Sequence, residues 1–320
     1  MNARKTKKKK RSIWKVLLIV LIILIAAGGV AWYGLASSLY GRISYEETGG
    51  EESALRQDGV TNILLIGNDS RENGEDGRSD AMILLSISEK TRTVQMISFL
   101  RDMYVEIPGH DGNRLNAAYA YGGPELLMET VRENFQIPVS HYVLVNFEAF
   151  ANLVDAVGGV DLELTSEEVE YVNGYLVEYN QLTGRPEGTD YLDTSRSGLI
   201  HLNGPQALAY TRNRYIGTDF GRTERQRKVL SAVIGELPKA LLTNPQEVLD
   251  GLLSNLTTNL TRGEFLRLTL DAGKLFTYDL QQGSVPVEGS YQNATIRGMA
   301  VLEVDFEQNI RYMNNRIYGE

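Results

Sequence analysis

The apolar positions of this chain come mostly as continuous runs rather than strict alternation. From Val16 to Leu35 no charged residue occurs across twenty positions, enough for a helix to cross a bilayer. Residues 36–58 then turn polar, with Glu46, Glu47, Glu51 and Glu52 among glycines, and read as a solvated juxtamembrane stalk. Apolar bursts at Thr61–Gly67, Ala81–Ser88 and Thr93–Phe99 have strand length, and Tyr104–Ile107 is a shorter one. Runs such as Ile83-Leu84-Leu85 suit strands buried on both faces, which requires helices on both sides of the sheet.

Beyond these strands the period changes. Pro124 near a first turn predicts a helix from Gly122-Gly123 to Phe135. His141–Phe147 reads as a strand, Glu148–Val157 as a helix stopped by Gly158-Gly159, and Val160–Leu164 as a strand. Residues 165–200 are polar with weak periodicity and are expected to form an insertion or flap. Asn203-Gly204-Pro205 caps a helix, and the longest helical pattern covers Thr223–Leu242, with Pro238 as a kink or stop. Further helices are expected from Asn244-Pro245 and over Arg262–Phe276, with a late strand at Met299–Val304. The expected architecture is α/β: a three-layer α-β-α domain with a mostly parallel central sheet, preceded by one transmembrane helix. Its divisions are a basic tail at 1–15, an anchor at 16–35, a stalk at 36–58 and a single domain over 59–320.

Charge changes the picture next. Eight lysines and arginines fall in the first fifteen residues, with no acid among them. A positive flank stays cytoplasmic, so a single-pass cell-membrane protein with its main domain outside the cell is expected. The apolar run is longer than the core of a cleaved signal peptide, which favours an anchor. Without those eight residues, 24 basic side chains face 41 acidic ones, a balance of −17 that disfavours nucleic acid as a partner. The basic tail is a topology signal that also suits contact with anionic membrane lipid. Zero cysteines exclude disulfides, thiolate metal sites and a cysteine nucleophile.

Against that acidic background, Arg212–Arg227 holds five arginines in sixteen residues. Arginine forks match phosphate and pyrophosphate. Arg212 and Arg214 share a face if the chain there is extended. Arg222 with Gln226, and Arg222 with Arg225, share a helical face close to an N-terminus that favours anions. Arg227 and Lys228 fall elsewhere and read as solvated, with Glu224–Lys228 an i,i+4 pair. Asp219 lies between the two arginine groups, placed to orient a guanidinium or accept a proton. Upstream, Asp69 and Asp80 flank a glycine-bearing loop at strand borders, where open α/β folds bind ligands. Two carboxylates with pyrophosphate oxygens and water suit an octahedral Mg2+. Arg78 and Arg101 can reach the same sheet edge. The plainer alternatives are a solvated basic helix and two ordinary turn aspartates. His110, His141 and His201 have no metal-ligand spacing, and no nucleotide-binding loop, serine elbow or zinc-protease motif occurs.

Taken in order, several segments resemble the LytR-CpsA-Psr family. They are Asn62-Ile-Leu-Leu-Ile-Gly-Asn-Asp-Ser-Arg71, Gly77-Arg-Ser-Asp80, Ser98-Phe-Leu-Arg-Asp102, Leu115-Asn-Ala-Ala-Tyr119, Asp155-Ala-Val-Gly-Gly-Val-Asp161, Leu202–Arg214 and Asp219-Phe-Gly-Arg-Thr-Glu-Arg-Gln226. The resemblance covers roughly residues 60–235. It implies an enzyme that moves a glycopolymer from a polyprenyl-pyrophosphate carrier onto peptidoglycan through a phosphodiester. By the family pattern Asp69 and Asp80 hold Mg2+; Arg78, Arg101, Arg212, Arg214, Arg222 and Gln226 surround the pyrophosphate, with Asp219 alongside. The lipid tail is expected in an apolar tunnel between sheet and helices. Hydrolysis of the carrier, or non-catalytic lipid or polymer sensing, are the rival functions; DNA regulation fits the charge poorly.

Overall fold

The computed structural model describes residues 33–48, 56–68, 79–213, 216–253, 256–275 and 277–319, apart from the side chains of Arg56, Asp80 and Leu252. The basic tail, the anchor up to its last three residues, Asp69, Arg78, Arg214 and the carboxylate of Asp80 lie outside the described residues. No described helix is long and apolar enough to cross a membrane.

A short helix, α1 (residues 33–40), precedes β1 (Ser44–Tyr45), β2 (Arg56–Gln57), β3 (Val60–Asn68), β4 (Ser79–Ser88), β5 (Thr93–Phe99), β6 (Tyr104–Val105) and β7 (Asn113–Arg114). Then come α2 (Leu115–Phe135), β8 (His141–Asn146), α3 (Phe147–Ala156), β9 (Val160–Leu164), α4 (Ser166–Leu182), β10 (Gly198–Leu202), α5 (Gly204–Arg212) and α6 (Asp219–Thr243). The chain finishes with α7 (Pro245–Leu253), β11 (Leu256–Thr258), α8 (Arg262–Leu275), β12 (Asp279–Val285), β13 (Tyr291–Ile296), β14 (Met299–Val304) and α9 (Phe306–Tyr318).

The main sheet runs β1-β11-β8-β3-β4-β5-β12, with β2 beside β3. β5 is buried along its whole length, because both faces of the sheet are covered. On one side Leu64, Ile66, Met82, Leu84, Ile97 and Phe99 pack with Leu127, Val131 and Phe135 of α2 and Met313 and Ile317 of α9. On the other side lie α3, α5 and α6, with α8 against Ile63 and Leu65. The three-layer expectation holds. Parallel pairs join β8 to β3 and β5 to β12, whereas β3-β4-β5 are antiparallel neighbours, so the sheet is mixed. The β4–β5 connection is a tight turn at Glu89–Arg92, too short for the crossover a parallel pair needs.

Three segments differ from expectation. The 165–200 stretch holds the 17-residue helix α4, started by a Thr165/Glu168 capping box. Val169, Val172 and Leu176 anchor it in a second core with Leu162, Tyr210, Val229 and Val233, and the many glutamates around them masked that stripe. Helix α2 starts at Leu115 and breaks at Gly122 and Gly123, the latter at φ 62°, before Pro124 restarts it. Helix α6 continues through Pro238 to Thr243, held beyond the proline by buried Ala240.

Candidate functional site

The first turn of α6 supplies the centre of the site. Asp219 sits there, where the helix dipole favours a carboxylate, and Thr218 makes no side-chain cap. One turn on, Arg222 is only 2% exposed and brings Nη2 to 3.2 Å from Asp219 Oδ1. Arg101, just past the end of β5, places Nε 3.7 Å from Asp219 Oδ2 and 3.7 Å from Asp102 Oδ2. Arg114, at the start of α2, reaches Asp102 Oδ1 at 3.5 Å. It also donates from Nε and Nη2 to the carbonyl of Ala300, at 3.1 and 2.8 Å. Three guanidinium groups thus converge on two carboxylates.

Those carboxylates are coupled. Burial is the main cause that raises Asp102, and its hydrogen bond with Asp219 and the charge of Asp219 add to it. Arg101 and Arg114 pull the other way and lose; the Asp102 carboxyl is pushed up to about 6. Two acids in contact that cannot both ionise freely hold a proton between them up to about pH 6.

Arg212, the last residue of α5, has its guanidinium 4.1 Å from the Phe147 ring centre and 5.0 Å from that of Tyr175. Two aromatic rings contact this half-buried guanidinium at the site's edge. Arg225 acts differently. Its Nη2 donates to the carbonyls of Asn213 at 3.0 Å and Ile216 at 2.8 Å, and Nη1 lies 3.6 Å from the half-buried Glu168. This residue clamps both ends of the segment that carries Arg214. Arg227, expected in solvent, is 8% exposed and bonds Ser98 Oγ at 2.7 Å, because its face of α6 lies on the sheet; burial lowers its pKa. Lys228 does remain exposed and pairs with Glu224 at 2.8 Å.

Below the charged cluster lies an apolar cavity of about 140 Å3 between sheet and helices. Leu65, Gly67, Ala81, Ile83 and Val145 form its sheet wall, and Phe147, Phe150, Leu153, Leu208 and Leu230 its helical wall. Gln226, one turn beyond Arg222, also lines it. The Gln226 Oε1 is buried there with no hydrogen-bond partner among the described residues. A buried unsatisfied acceptor is costly and marks a place for a polar group.

The β3–β4 ladder fixes the entrance. Gly67 pairs with Ala81 and Asn68 with Ser79, so Asp80 is the extra residue of a bulge. Bulges re-aim a side chain beside a site. Asn68 also donates to the Tyr119 hydroxyl at 2.9 Å, joining the end of β3 to the start of α2.

Of the expected residues, Arg101, Asp219 and Arg222 come together, Gln226 adjoins them at the cavity, and Arg212 stands at the aromatic edge. Asp102 and Arg114 join the site without a chemical signature of their own in the sequence, although Asp102 ends the Ser98–Asp102 motif. The histidines have structural neighbours: His141 with Glu264 at 3.0 Å, His201 with Asp161 at 2.7 Å, and His110 stacked on Tyr121. Among the described residues no group of three or more His, Cys, Asp or Glu side chains is placed to hold a metal ion.

A cationic cluster over an apolar cavity, at the sheet edge of a three-layer α/β domain, defines a site for an anionic amphiphile. Comparison with known proteins agrees: the chain matches the LytR_cpsA_psr family over residues 37–315 and belongs to it. It is 34% identical over 260 residues to the polyisoprenyl-teichoic acid–peptidoglycan teichoic acid transferase TagU of Enterococcus faecalis, covering 76% of this chain and 78% of that one. The Bacillus cereus protein of the same name is 35% identical over 223 residues, 68% of this chain and 66% of the relative. Among solved structures, TagT bound to LI-WTA superposes with a TM-score of 0.66 at 27% identity, covering 87% of this chain and 98% of that one. YwtF (TagT) with bound octaprenyl pyrophosphate lipid gives 0.63 at 25% identity, with 87% and 98% covered.

Proposed function

We propose that this transferase moves a glycopolymer from its polyprenyl-pyrophosphate carrier onto a peptidoglycan hydroxyl, forming a phosphodiester outside the membrane that residues 16–35 anchor it to. One observation carries the reading: Arg101 and Arg222 converge on Asp219 one helical turn from an apolar cavity. Such a site takes a pyrophosphate head and a polyprenyl tail together. The names of the relatives support the same substrates.

Each part has a physical task. The acceptor oxygen forms a new bond to the phosphorus that carries the sugar, while the bridging phosphoanhydride bond breaks and polyprenyl phosphate leaves. Charge accumulates on the leaving oxygens, and prepositioned guanidinium groups stabilise it without reorganising. Arg222 does this from a buried position, Arg101 from a half-buried one and Arg212 from the aromatic edge; Arg78 and Arg214 are assigned the same task by the family pattern. The acceptor proton goes to Asp219 or, through it, to the Asp102–Asp219 pair, whose upper value near 6 suits proton transfer at neutral pH. Gln226 hydrogen-bonds the head group at the top of the cavity.

Mg2+ is the proposed metal. In the sequence Asp69 directly follows the last residue of β3, and the backbone of Asp80 forms the bulge opposite that end of the strand; the family pattern assigns both carboxylates, a hard oxygen donor set, to the ion. When bound, the ion neutralises pyrophosphate oxygens.

The test uses the full-length chain in detergent, with a polyprenyl-pyrophosphate-linked saccharide and a peptidoglycan oligomer, with and without Mg2+. Metal-dependent formation of saccharide-phosphate-glycan, lost in Arg222→Ala, is expected. Release of free saccharide phosphate at the same rate without acceptor points to a hydrolase, and lipid binding without any product to a sensor.

A further inference from the structure

None of the residues of helix α8 is buried. Its inner side is held by Leu268, in one cluster with Ile63, Leu65 and Leu260, and by Phe265, which meets the Tyr40 ring of α1 at 5.7 Å. The other side is apolar where a solvated helix would be polar. Arg262, Leu266 and Leu270 stand four residues apart, one above the other along a single line, and Arg267 adjoins it. Leu270 is 61% exposed, Arg262 and Arg267 are exposed with it, and Leu266 is half-buried beside them. Both acids of the helix are engaged elsewhere, Glu264 with His141 at 3.0 Å and Asp271 with Lys274 at 2.7 Å. The outward face thus joins leucines to arginines on a domain that is otherwise strongly acidic.

Position identifies what covers that face. The twenty uncharged residues Val16–Leu35 match roughly 30 Å of hydrocarbon at helical rise. In the sequence Trp14 stands just before that run and Trp32-Tyr33 near its far end, the places where membrane proteins keep aromatic rings. The run ends inside α1, whose first turn carries the exposed Tyr33 and Leu35. Helix α1 is fastened to the start of α8. The Tyr40 hydroxyl donates to the Leu260 carbonyl at 2.9 Å, Ala36 is buried, and the Arg262 guanidinium lies 5.4 Å from the Tyr33 ring centre. A bilayer boundary at Tyr33–Leu35 puts Arg262 in the headgroup layer, and the line through Leu266 and Leu270 continues from it.

Charge and pattern select the same occupant. A helix with leucines beside cations lies in a membrane interface, its leucines inserted and its guanidinium groups reaching back to phosphates. We infer that the outward face of α8, with the first turn of α1, docks on the outer surface of a bilayer containing anionic phospholipid. Arg262 and Arg267 take headgroup phosphates, and Leu266 and Leu270 enter the acyl boundary. This rests on the reading of residues 16–35 as an anchor. Leu65, in the cluster that seats Leu268, also lines the apolar cavity. The docked helix therefore borders both the bilayer and the wall of the pocket that takes the carrier's tail.

The chain has no cysteine, so a single introduced one can carry a fluorophore. Leu270→Cys is compared with Leu199→Cys on β10, a position 63% exposed. Full-length protein bearing either label is reconstituted into vesicles of phosphatidylcholine alone or with phosphatidylglycerol. With phosphatidylglycerol, the label at 270 is expected to be quenched by brominated acyl chains and to resist aqueous iodide, and the label at 199 to do the reverse. Adding Arg262→Gln with Arg267→Gln should lower the ratio of protected to accessible label at 270 about tenfold, the effect of two cations at an anionic surface. Iodide access at 270 equal to that at 199, or protection equal in both vesicle types, overturns the dock and leaves the anchor standing. Protection from iodide without quenching by brominated lipid means that a protein chain covers the face, and overturns it as well. Labelled protein that floats with neither kind of vesicle refutes the anchor itself, and the dock with it.

Discussion

Replacing Asp102 with asparagine isolates the proton held beside Asp219. The folded value of Asp102 is about 6 against an ordinary 3.8, a rise worth about 3 kcal/mol at 1.36 kcal/mol per pH unit. The folded value lies above the unfolded one, so the stability is present below pH 4 and is lost as pH rises through 6. Above that the parent protein bears the whole cost of a half-buried, ionised Asp102. Asparagine keeps the shape, can donate to Asp219, and never ionises. Asp102→Asn is therefore expected to exceed the parent in unfolding free energy by less than about 1 kcal/mol at pH 4 and by about 3 kcal/mol at pH 8. Urea unfolding of the full-length chain in detergent at pH 4, 6 and 8 measures the difference. Asp219→Asn removes the neighbour's share and should flatten the same curve. A difference that does not change with pH, or an asparagine variant less stable than the parent at pH 8, refutes the shared-proton argument.

Other substitutions probe the remaining parts of the site. Gln226→Leu removes a buried acceptor with no described partner, so thermal stability should rise by the equivalent of about 1 kcal/mol or more while pyrophosphate-lipid affinity falls. Val145→Phe narrows the apolar cavity; affinity for octaprenyl pyrophosphate should drop about tenfold, with inorganic pyrophosphate binding unchanged in the same titration. Arg225→Gln releases the Asn213 and Ile216 carbonyls and leaves Glu168 without its ion pair, a loss of about 3 kcal/mol or more by denaturant unfolding. Asp80→Asn should abolish Mg2+ stimulation of transfer while retaining lipid binding, read by comparing rates at saturating and zero metal.

The central strands were legible because burial on two faces leaves an uninterrupted apolar run, as in Ile83-Leu84-Leu85. Strand direction was not. Such a run looks the same in a parallel or an antiparallel neighbour, and only the tight Glu89–Arg92 turn reveals the choice. Edge strand β12, Asp279–Val285, carries too many polar residues to declare itself; Gln281 is satisfied by Gln95 across the ladder at 3.0 Å, a contact no local pattern announces. In the site, Arg101, Asp219 and Arg222 could be named from motif and chemistry. Arg114 could not, since its partners Asp102 and Ala300 are distant in the chain or belong to another element. Arg225 and Arg227 show the converse limit: helical spacing says which arginines share a face, but not which face meets the sheet.

The terminal hairpin β13–β14 lies far from every recognisable motif, yet it is the bench on which the acid pair rests. The Leu302 amide donates to the Asp102 carbonyl at 2.9 Å, and the Ala300 carbonyl receives the Arg114 fork. A chain ending before Tyr291 would retain all the motif residues and lose the support that aims two of the charged groups. The motif-bearing segment is consequently not a detachable catalytic module. Changes in a hairpin that carries no signature can retune the proton affinity of the site without touching a residue that faces the substrate.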